Sequence, residues 1–387
     1  MKDTSTIFML VLIAIVGVFT LDVYLPGMPS MASQFGVTLT DITYTFTAFS
    51  VVFAFSQLIH GALSDYLGRK PVIIAGLAIA GVATLMCIQA KTYEFLFASR
   101  IVQALGISAF VVVNAIIRDL YTGAKAVQVR TVVATVSGIS ISIAPTIGAL
   151  LQARYNWQGG FIASLILIAI TLSYAVLFYS ESNINRDKSS FNVMALLRTY
   201  TGLFANKNYQ LHILIVMLAY TVHFSFIIMS ASIFVDMLGA TPLLFGYLMF
   251  AYGGVYFLGG LLTTWIAIKL QVGALIRLGG CLIIAGGLLM FVLLLIPDKE
   301  SWQILLPMAV ITFGVTMSRA AATTGALAPM PAQSGQGAGG LNLVQFAVSA
   351  LIATGISKFG SDPQVAIGLL AITCGYLINC LIKRVKK

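Results

Sequence analysis

The sequence predicts an all-α membrane protein in which twelve transmembrane helices form two pseudo-symmetric bundles of six. Composition is the first reason: 59% of the 387 residues are hydrophobic, only 9% are charged, and the mean hydropathy is +0.99. Soluble domains carry about 25% charged residues, so this chain lacks the polar surface that a water-facing globule needs. The second reason is a series of apolar segments of bilayer length, and the third is a long polar break at the midpoint. These features exclude a disordered chain, a collagen and an ordinary soluble enzyme.

The apolar segments are long enough to cross a bilayer as helices, since a spanning helix takes about 20 residues. None shows the two-residue alternation of a barrel strand, and a helix satisfies its own backbone groups in lipid. The first segment follows Lys2 and could be a signal peptide, but no small-residue cleavage site follows it, so we expect an uncleaved first helix. The predicted spans cover residues 7–26, 42–63, 71–90, 95–117, 129–151, 159–179, 209–235, 243–267, 271–295, 303–323, 337–357 and 364–382.

The basic residues predict the orientation of these spans. With a cytoplasmic N-terminus, 17 of the 22 Lys and Arg residues, Arg319 among them, fall on the cytoplasmic side and 4 on the outer side. Arg100 is then the one basic residue inside a span. Because cytoplasmic loops carry the excess of Lys and Arg, both termini are expected in the cytoplasm. Topology thereby explains the net charge of +10, and no dense basic patch indicates nucleic-acid binding.

A polar stretch at the midpoint divides the chain into six and six spans. We expect an N-terminal bundle over residues 1–180, a cytoplasmic linker over residues 181–208 and a C-terminal bundle over residues 209–387. A faint internal repeat supports the division, because residues 61–65 and 260–264 share a pattern and both close the second span of their half. Duplicated halves with a site near the bilayer midplane are typical of secondary transporters.

Motifs for metals, nucleotides and hydrolysis do not support an enzyme. The four cysteines lie inside apolar runs without a CxxC pair, which gives neither a metal knuckle nor a disulfide framework. Gly335, Gly337 and Gly340 satisfy GxGxxG, but they open a predicted helix instead of following a strand, so helix packing explains them better. No Walker sequence is present. We expect no cofactor and no metal, and a monomer that acts on a small-molecule substrate and protons within the bilayer.

Asp22 is the acidic residue of the first span, flanked by Phe19, Leu21 and Leu25. Ionisable residues within spans are costly and by default indicate function. Burial disfavours the charged form of a carboxyl group and a nearby cation favours it, and this balance can place protonation near the working pH. We therefore expect Asp22 to bind a proton or a cationic substrate. The alternative is an interfacial carboxylate, since Asp22 lies about 15 residues from the helix start.

Arg100, in the fourth span, is the expected counter-charge of Asp22. Gln103 and Asn114 fall within about 60° of Arg100 around a helix, so one polar stripe is expected along this span. Such a stripe should face a cavity or another helix instead of lipid. The alternative is a structural arginine that locks the fourth helix to the first.

Further polar and aromatic residues inside the spans are candidates for a substrate cavity. His223 can titrate in the physiological range, and Tyr220 lies close to it on the seventh helix. Tyr252 and Tyr256 share a face of the eighth helix, and aromatic faces suit flat or cationic ligands. Packing is the alternative explanation for each of them. The complete set of cavity candidates is Tyr24, Gln57, Gln103, Asn114, Tyr220, His223, Tyr252, Tyr256 and Gln345.

The segment GALSDYLGRKPVI, residues 61–73, resembles the signature of the loop between helices 2 and 3 in the major facilitator superfamily. Glycines permit a tight turn there, and an aspartate can cap or pair at helix ends. The resemblance implies a conformational latch that holds the outward-open state. Ser64 and Tyr66 depart from the usual Ala and Arg. The implied latch residues are Gly61, Asp65, Gly68, Arg69 and Lys70.

Two further motifs support the same resemblance. LFASRIVQALG, residues 96–106, is similar to the helix 4 motif of the superfamily, in which the position of Arg100 is implicated in proton coupling. SISIAPTIGAL, residues 140–150, resembles the helix 5 antiporter motif through Pro145 and Gly148. Other small residues, Ser140, Ala144 and Ala149, replace three of its glycines.

Three stretches look like the Bcr/CflA group of drug–proton antiporters: DVYLP at residues 22–26, and residues 115–123 and 241–254. The resemblance covers essentially the whole chain. It implies a bacterial inner-membrane exporter of drugs or small metabolites, such as chloramphenicol-like compounds, bicyclomycin and amino-acid derivatives. In such exporters the acidic residue of helix 1 is a proton or substrate site, and this role carries over to Asp22 because DxYLP is intact.

We therefore expect a proton-coupled secondary transporter, and not an enzyme, that exports drugs or small amphipathic metabolites by alternating access. Asp22 would exchange a proton with substrate, Arg100 would tune this exchange, and Asp65 with Arg69 would bias the conformational equilibrium. Two alternatives stay open. The first is an importer or symporter of a metabolite or iron chelate. The second is a membrane receptor or assembly factor that has the same fold but does not transport.

Overall fold

The computed structural model describes residues 2–183, 193–297, 299–328, 334–359 and 362–384. Helices dominate these ranges, and no strand occurs within them. In the same ranges, twelve helical spans are long and apolar enough to cross a membrane, which confirms the predicted fold class. They are Thr4–Phe35, Leu39–Leu67, Arg69–Ile88, Tyr93–Leu120, Gln128–Tyr155, Gln158–Phe178, Lys207–Met237, Pro242–Ile266, Val272–Leu293, Trp302–Leu327, Gln336–Ser357 and Pro363–Ile382.

The chain divides into two compact units, Met1–Arg198 and Thr199–Lys387. The spans of the first unit are built from α1 (Lys2–Asp22), α2 (Met28–Phe35), α3 (Leu39–Leu67), α4 (Arg69–Ile88), α5 (Tyr93–Ile107), α6 (Val112–Leu120), α7 (Gly123–Tyr155) and α8 (Gln158–Phe178). Two of these spans are interrupted. A 3₁₀ turn, Leu25–Gly27, separates α1 from α2, and another, Ser108–Val111, separates α5 from α6.

The second unit repeats the pattern of six spans. Its helices are α10 (Lys207–Ala231), α11 (Pro242–Ile266), α12 (Val272–Leu293), α13 (Trp302–Leu327), α14 (Ser334–Leu343), α15 (Ser349–Phe359) and α16 (Pro363–Ile382). A π-helical segment, Ser232–Met237, ends the seventh span, and another, Val344–Val348, joins α14 to α15. A further helix, α9 (Val193–Ala205), lies within residues 181–208, the range that the sequence predicts as a linker.

Several helices begin where a polar side chain can satisfy free amide groups. Thr38 and Asp41 form a capping box before α3, in which the Thr38 amide donates to Asp41 Oδ2 at 2.8 Å and the Asp41 amide donates to Thr38 Oγ1 at 3.2 Å. Thr92 caps α5 in a similar way, and Thr241 caps α11 just before a proline. The capping residues lie in the connections between spans, so each of these helices begins at the end of a connection.

Helix packing in the first unit determines which side chains can meet. α5 packs against α3 and α4, whereas α1 packs against α7 and α8. The α4–α5 contact is close because Gly76 and Gly106 lie opposite each other. In the second unit, α13 packs against α10, α11 and α12. Arg100 and Gln103 on α5 and Thr312 and Ser318 on α13 are accordingly buried inside their units.

Candidate functional site

The first span is interrupted immediately after Asp22. Pro26 has no amide hydrogen for a helical bond, and the chain turns through Leu25–Gly27, where the Gly27 amide donates to the Tyr24 carbonyl at 2.9 Å. Helical structure resumes at Met28, and the span continues to Phe35. Asp22 is therefore the last residue of α1 but lies inside the span.

Two glycines on neighbouring helices allow this interrupted backbone to approach closely. Gly148 in α7 and Gly160 in α8 both lie against the Val23 carbonyl group, and a Cβ atom at Gly160 would lie only 2.9 Å from its oxygen. A Cβ atom at Gly148 would overlap the same oxygen more severely. Pro145 lies inside α7, about one turn before Gly148. The helix 5 motif thus packs against the turn that follows Asp22.

Aromatic side chains cover the same turn. Trp157 lies against Gly27, and its indole nitrogen donates to Gln34 Oε1 at 2.6 Å. The next helical turn of α8 brings Phe161, whose ring stacks on Tyr24 with centroids 5.5 Å apart. This layer fixes the position of Tyr24, which follows Asp22 by two residues.

The Asp22 carboxyl group is buried without a partner. The residue is 7% exposed, and it makes no hydrogen bond or ion pair with any other residue that the structure describes. Its chain neighbours Phe19 and Val23 pack with Ala144 in an apolar cluster. A carboxyl group in such surroundings is suited to binding a proton or a cation.

Arg100 is fully buried in an aromatic cage. Its guanidinium carbon lies 4.2 Å from the ring centroids of both Tyr24 and Phe49, and 5.7 Å from that of Phe161. Aromatic faces carry negative partial charge, so they attract a desolvated guanidinium group. The positive charge of Arg100 is therefore stabilised mainly by the faces of aromatic rings.

One amide completes the surroundings of this cation. Arg100 Nη1 donates to Gln103 Oε1 at 2.5 Å, and Gln103 Nε2 donates to Thr84 Oγ1 at 2.8 Å. Arg100 Nε and Nη2 are buried and have no hydrogen-bond partner among the described residues. The expected proximity of Arg100 and Gln103 is thus found, and two donors of the guanidinium remain open.

The expected ion pair between Asp22 and Arg100 is not formed. No salt bridge joins the two side chains, although both belong to the described residues. Tyr24 instead contacts the cation: its ring centroid lies 4.2 Å from the Arg100 guanidinium carbon, and it follows Asp22 by two residues in the chain. The sequence could show that both charges are intramembrane, but it could not show that rings occupy the space around the guanidinium.

Asn114 does not continue a buried polar stripe from Arg100. The 3₁₀ turn Ser108–Val111 interrupts the fourth span between the two residues, and Asn114 is exposed whereas Arg100 is buried. Gln57, in contrast, is buried inside α3, with 1% of its surface exposed. The two predicted cavity residues therefore have different surroundings.

A second cluster of predicted cavity residues joins α10 to α11 in the second unit. His223 Nδ1 and the Tyr252 hydroxyl oxygen are 2.6 Å apart and form a hydrogen bond. The His223 ring also lies 4.9 Å from the Tyr256 ring and 5.3 Å from the Tyr220 ring, measured between centroids. All four residues are buried. We call His223, Tyr220, Tyr252 and Tyr256 the histidine–tyrosine cluster.

Gln345 is buried in the π-helical segment Val344–Val348, with 4% of its surface exposed. The adjacent Phe346 packs edge-on against Tyr220, with ring centroids 5.3 Å apart. This segment therefore adjoins the histidine–tyrosine cluster. π-Helical segments are frequent at functional sites.

Arg319 requires a correction of the sequence analysis. The orientation argument assigns it to a cytoplasmic loop, but it lies inside α13 (Trp302–Leu327), the tenth span. Arg100 is therefore not the one basic residue inside a span. The signal was present, because the predicted span 303–323 contains Arg319 and the residues after it are uncharged up to Ala328. Its guanidinium carbon lies 5.8 Å from the centroid of Tyr256, so this cation adjoins the histidine–tyrosine cluster.

The loop signature forms an ion-pair cluster between α3 and α4. Arg69 is almost fully buried; its Nη1 lies 2.6 Å from Asp65 Oδ1, and its Nε lies 2.8 Å from Asp119 Oδ2. It also donates to Ser64 Oγ at 2.7 Å. Asp119 is the better shielded carboxylate, 16% exposed against 56% for Asp65. Asp119 is not among the latch residues that the sequence predicts, although its place after Arg118 at the end of the fourth span is a signal for one.

Glu181 was also missed, and it binds the same cluster. Its carboxylate accepts hydrogen bonds from the backbone amides of Arg69 at 2.9 Å and Lys70 at 3.1 Å. These amides are at the N-terminus of α4, where the helix dipole favours negative charge. Asn183 Nδ2 adds a hydrogen bond to the Asp65 carbonyl at 3.1 Å. Residues 181–183, the start of the predicted linker, are thereby attached to the predicted latch.

Two further contacts hold this segment. Lys70 Nζ donates to the Val176 carbonyl at 3.0 Å, so Lys70 contacts α8. The Tyr179 hydroxyl and Ser182 Oγ are 2.9 Å apart. Burial raises the pKa of the Tyr179 hydroxyl, which therefore stays protonated and available as a donor.

The two latch glycines differ in what they contribute. Gly68 separates α3 from α4 with φ +104°, which residues with a side chain rarely adopt, so a tight turn requires glycine here. Gly61 lies inside α3, and a Cβ atom there would meet nothing within 4 Å. The expectation that Gly61 permits a turn is therefore wrong.

The fold and these clusters define a class of protein. Among the described residues, no group of three or more His, Cys, Asp or Glu side chains could hold a metal ion. What the clusters offer is a buried carboxyl group, two intramembrane cations and aromatic faces. Residues 9–354 match the sequence profile of the Major Facilitator Superfamily. The chain belongs to this superfamily and is a multi-pass membrane protein of a transporter family.

Individual relatives narrow this class. The Multidrug resistance protein D of Escherichia coli (strain K12) is 27% identical over 97% of this chain and 94% of its own length. The Multidrug resistance protein MdtL of Shewanella oneidensis is 27% identical over 86% of this chain and 83% of its own length. The Bicyclomycin resistance protein homolog of Haemophilus influenzae is 23% identical over 93% of this chain and 91% of its own length. These names agree with the resemblance to the Bcr/CflA group.

Solved structures of transporters share the fold. A POT family transporter in complex with a thioalcohol conjugated peptide superposes with a TM-score of 0.78 at 13% identity, covering 98% of this chain and 96% of its own. The peptide transporter POT in complex with sulfate gives a TM-score of 0.77 at 14% identity, covering 98% and 94%. At this identity the likeness shows the fold alone, and it confirms the predicted major facilitator architecture.

Proposed function

We propose that this protein is a proton-coupled exporter of drugs or small amphipathic metabolites. The observation that carries the proposal is Asp22, a buried carboxyl group at an interruption of the first span. Three of its relatives are called multidrug or bicyclomycin resistance proteins, which supports small-molecule export as the activity. Transport, and not a chemical reaction on the substrate, is then the function of the chain.

Proton exchange at Asp22 is the coupling step in this proposal. The unpartnered carboxyl group releases its proton on one side of the membrane and takes up another proton, or a substrate, on the other. Each proton that enters supplies about 2.3 kcal/mol per 100 mV of membrane potential and about 1.4 kcal/mol per pH unit. Alternating access then converts this energy into a substrate gradient. Arg100 keeps a fixed positive charge near Tyr24 throughout the cycle.

The substrate is proposed to contact both aromatic and polar residues of the spans. Aromatic faces at Tyr24 and in the histidine–tyrosine cluster suit flat or amphipathic molecules. Gln57, Gln103, Asn114 and Gln345 are the proposed polar contacts, of which Gln103 already binds Arg100. The ion-pair cluster of Asp65, Arg69, Asp119 and Glu181, together with Gly68, is proposed to bias the conformational equilibrium.

The proposed setting is the cytoplasmic membrane of a bacterium, with both chain termini in the cytoplasm. The excess of basic residues in alternate connections supports this orientation. We further propose an N-terminal bundle over residues 1–180, a linker over 181–208 and a C-terminal bundle over 209–387, acting as a monomer. The segment 181–183 belongs functionally to the N-terminal bundle, because it binds the loop between α3 and α4.

Transport in reconstituted vesicles tests the proposal. Purified protein in proteoliposomes is given radiolabelled chloramphenicol and bicyclomycin under a pH gradient of either direction. An antiporter takes up substrate when the vesicle lumen is acid, and Asp22→Asn should abolish this gradient-driven uptake while Asp22→Glu retains part of it. The matched control is Glu94→Gln, which removes an exposed carboxyl group from the same unit and should leave uptake unchanged.

Three results would overturn the proposal. Uptake driven by an acid exterior would make the protein a symporter. Full gradient-driven uptake by Asp22→Asn, for every compound that the parent protein transports, would remove Asp22 from the coupling step. A parent protein that moves no compound in either gradient would favour the receptor alternative.

A further inference from the structure

Arg319 is an intramembrane cation that the coupling step proposed above does not use. It lies about 26 Å along the axis of α13 from Trp302, the first residue of that helix, and about 12 Å from Leu327, the last, at 1.5 Å per residue. A guanidinium group at such a depth is costly unless it faces a partner or a polar space. The position therefore calls for an explanation from its surroundings.

No carboxylate in the described part of the second unit is placed to neutralise this cation. The acidic residues of the unit are Asp236, Asp298, Glu300 and Asp362. Glu300 directly precedes α13, and Asp362 pairs with Lys299 at 3.3 Å, so both belong to the end at which α13 begins. Because successive spans alternate in direction, Asp236, in the last turn of the seventh span, belongs to the same end. Arg319 is therefore remote from Asp236, Glu300 and Asp362, the three of these residues that the structure describes.

The donors of Arg319 are open. Its Nε is buried and has no hydrogen-bond partner, and its two Nη atoms make no hydrogen bond with any described residue. The side chain is only partly buried, so part of it is accessible. A guanidinium fork presents two parallel N–H donors that match a carboxylate. Arg319 thus offers this fork without any protein acceptor in the described part of its unit.

The histidine–tyrosine cluster adjoins this fork. The Tyr256 ring lies 5.8 Å from the guanidinium carbon and 4.9 Å from the His223 ring. His223 is in turn bound to the Tyr252 hydroxyl at 2.6 Å, which restrains both rings. An open cation beside restrained aromatic side chains is an arrangement that binds a molecule with one anionic group and one flat apolar group.

We propose that Arg319, with Tyr256 beside it, is a recognition site for small aromatic carboxylates. The Arg319 fork binds the carboxylate, and the aromatic cluster accepts the apolar part of the ligand. This inference rests on the transport function proposed above and names an acidic substrate class for it. It differs from coupling at Asp22, which concerns protons and belongs to the other unit.

Ligand binding to the purified protein tests the site without any proton gradient, so its outcome is independent of the coupling test. The probes are dansylglycine, a fluorescent aromatic carboxylic acid, and dansylglycinamide, which has the same ring but no charge. The parent protein should bind the acid at least about tenfold more tightly than the amide. Arg319→Gln should weaken binding of the acid by about tenfold or more and leave binding of the amide within about twofold.

Two variants separate recognition from folding. Arg319→Lys keeps the charge but loses the fork, so its affinity for the acid should be intermediate. Arg277→Gln is the matched control, because it removes an exposed basic residue from the same unit and should change neither affinity. Melting temperatures of all variants show whether the fold is intact, and the amide affinity reports the aromatic surface on its own.

Competition identifies the source of the carboxylate or other anionic group. Benzoate should displace dansylglycine, whereas phosphatidylglycerol, an anionic lipid, should not; displacement by the lipid would make this a headgroup site and overturn the proposal. A parent protein that binds the acid no more tightly than the amide would also overturn it. So would equal losses of acid and amide binding in Arg319→Gln, because they indicate a structural role.

Discussion

Arg100 and Asp22 are two different solutions to placing a charge inside a membrane span. A guanidinium group stays protonated, so Arg100 needs permanent compensation, which three aromatic rings and one amide provide. A carboxyl group can change its charge by binding a proton, so Asp22 can occupy an apolar place without a fixed partner. One residue therefore holds a constant charge and the other is free to exchange one.

The cage around Arg100 predicts that lysine is a poor replacement. Arg100→Lys keeps the charge, but an ammonium group cannot stack a planar face on Tyr24 and Phe49. We expect the free energy of unfolding to fall by about 1–3 kcal/mol, measured as a lower melting temperature of the purified protein. The reverse exchange at an exposed site, Lys91→Arg, should change stability by less than about 0.5 kcal/mol. Equal melting temperatures for Arg100→Lys and the parent would contradict the cage.

Sequence reasoning found individual charges better than it found their partners. Asp22 and Arg100 were identifiable because an ionisable residue within an apolar run is conspicuous. Arg319 lies in the predicted span 303–323, whereas the orientation argument assigns its charge to a cytoplasmic loop. Asp119 and Glu181 contact Arg69 from far along the chain, so only the packing of the helices could bring them together.

At the scale of the helix, the interruption of the first span depends on its neighbours. Pro26 ends α1, but a proline alone does not determine how closely the turn approaches other helices. Gly148 in α7 determines this, because its missing side chain leaves room for the Val23 carbonyl. The helix 5 motif therefore acts on the structure around Asp22 through backbone contact.

Gly148→Ala tests this contact. The added methyl group would overlap the Val23 carbonyl oxygen, so α7 and α1 would have to separate, and we expect a loss of about 1–3 kcal/mol in stability together with a large loss of substrate uptake. Gly81→Ala in α4 is the control, since its methyl group would meet only Ile168 at an ordinary 3.6 Å. It should be neutral or stabilising by up to about 1 kcal/mol. The outcome contrary to this account is equal uptake by both variants.

Interruptions of helices were the features that the sequence predicted least well. The polar stripe expected from Arg100 to Asn114 assumes one continuous helix, but a 3₁₀ turn at Ser108–Val111 lies between the two residues. No proline or glycine lies within this turn, so composition offered no warning. The sequence does not predict the π-helical segments at Ser232–Met237 and Val344–Val348 either, because their hydrogen bonding depends on tertiary contacts.

At the scale of the whole molecule, composition determined the architecture almost completely. Lipid leaves helices as the economical spanning structure for such segments, so twelve apolar runs predict twelve spans, and these are found among the described residues. The ends of the spans were less exact: the first runs to Phe35 and not to residue 26, because helical structure resumes after Pro26. Hydropathy measures apolar length, but it does not detect a helix that restarts.

Both termini are predicted to lie in the cytoplasm, because alternate connections carry the excess of Lys and Arg. A green fluorescent protein fused after Lys387 should therefore fluoresce, since it folds in the cytoplasm. Alkaline phosphatase fused after Lys299, in the connection that precedes α13, should be active on the outer side. The reverse pair of signals would invert the orientation and with it the direction assigned to each gradient.

Trp157 gives the molecule a natural optical reporter. The chain has three tryptophans, and Trp265 and Trp302 are 61% and 45% exposed, whereas Trp157 is buried beside the turn after Asp22. With phenylalanine at the two exposed positions, all indole emission would come from this single place. The wavelength and intensity of the Trp157 emission would then report any rearrangement of the turn in real time, without an attached dye.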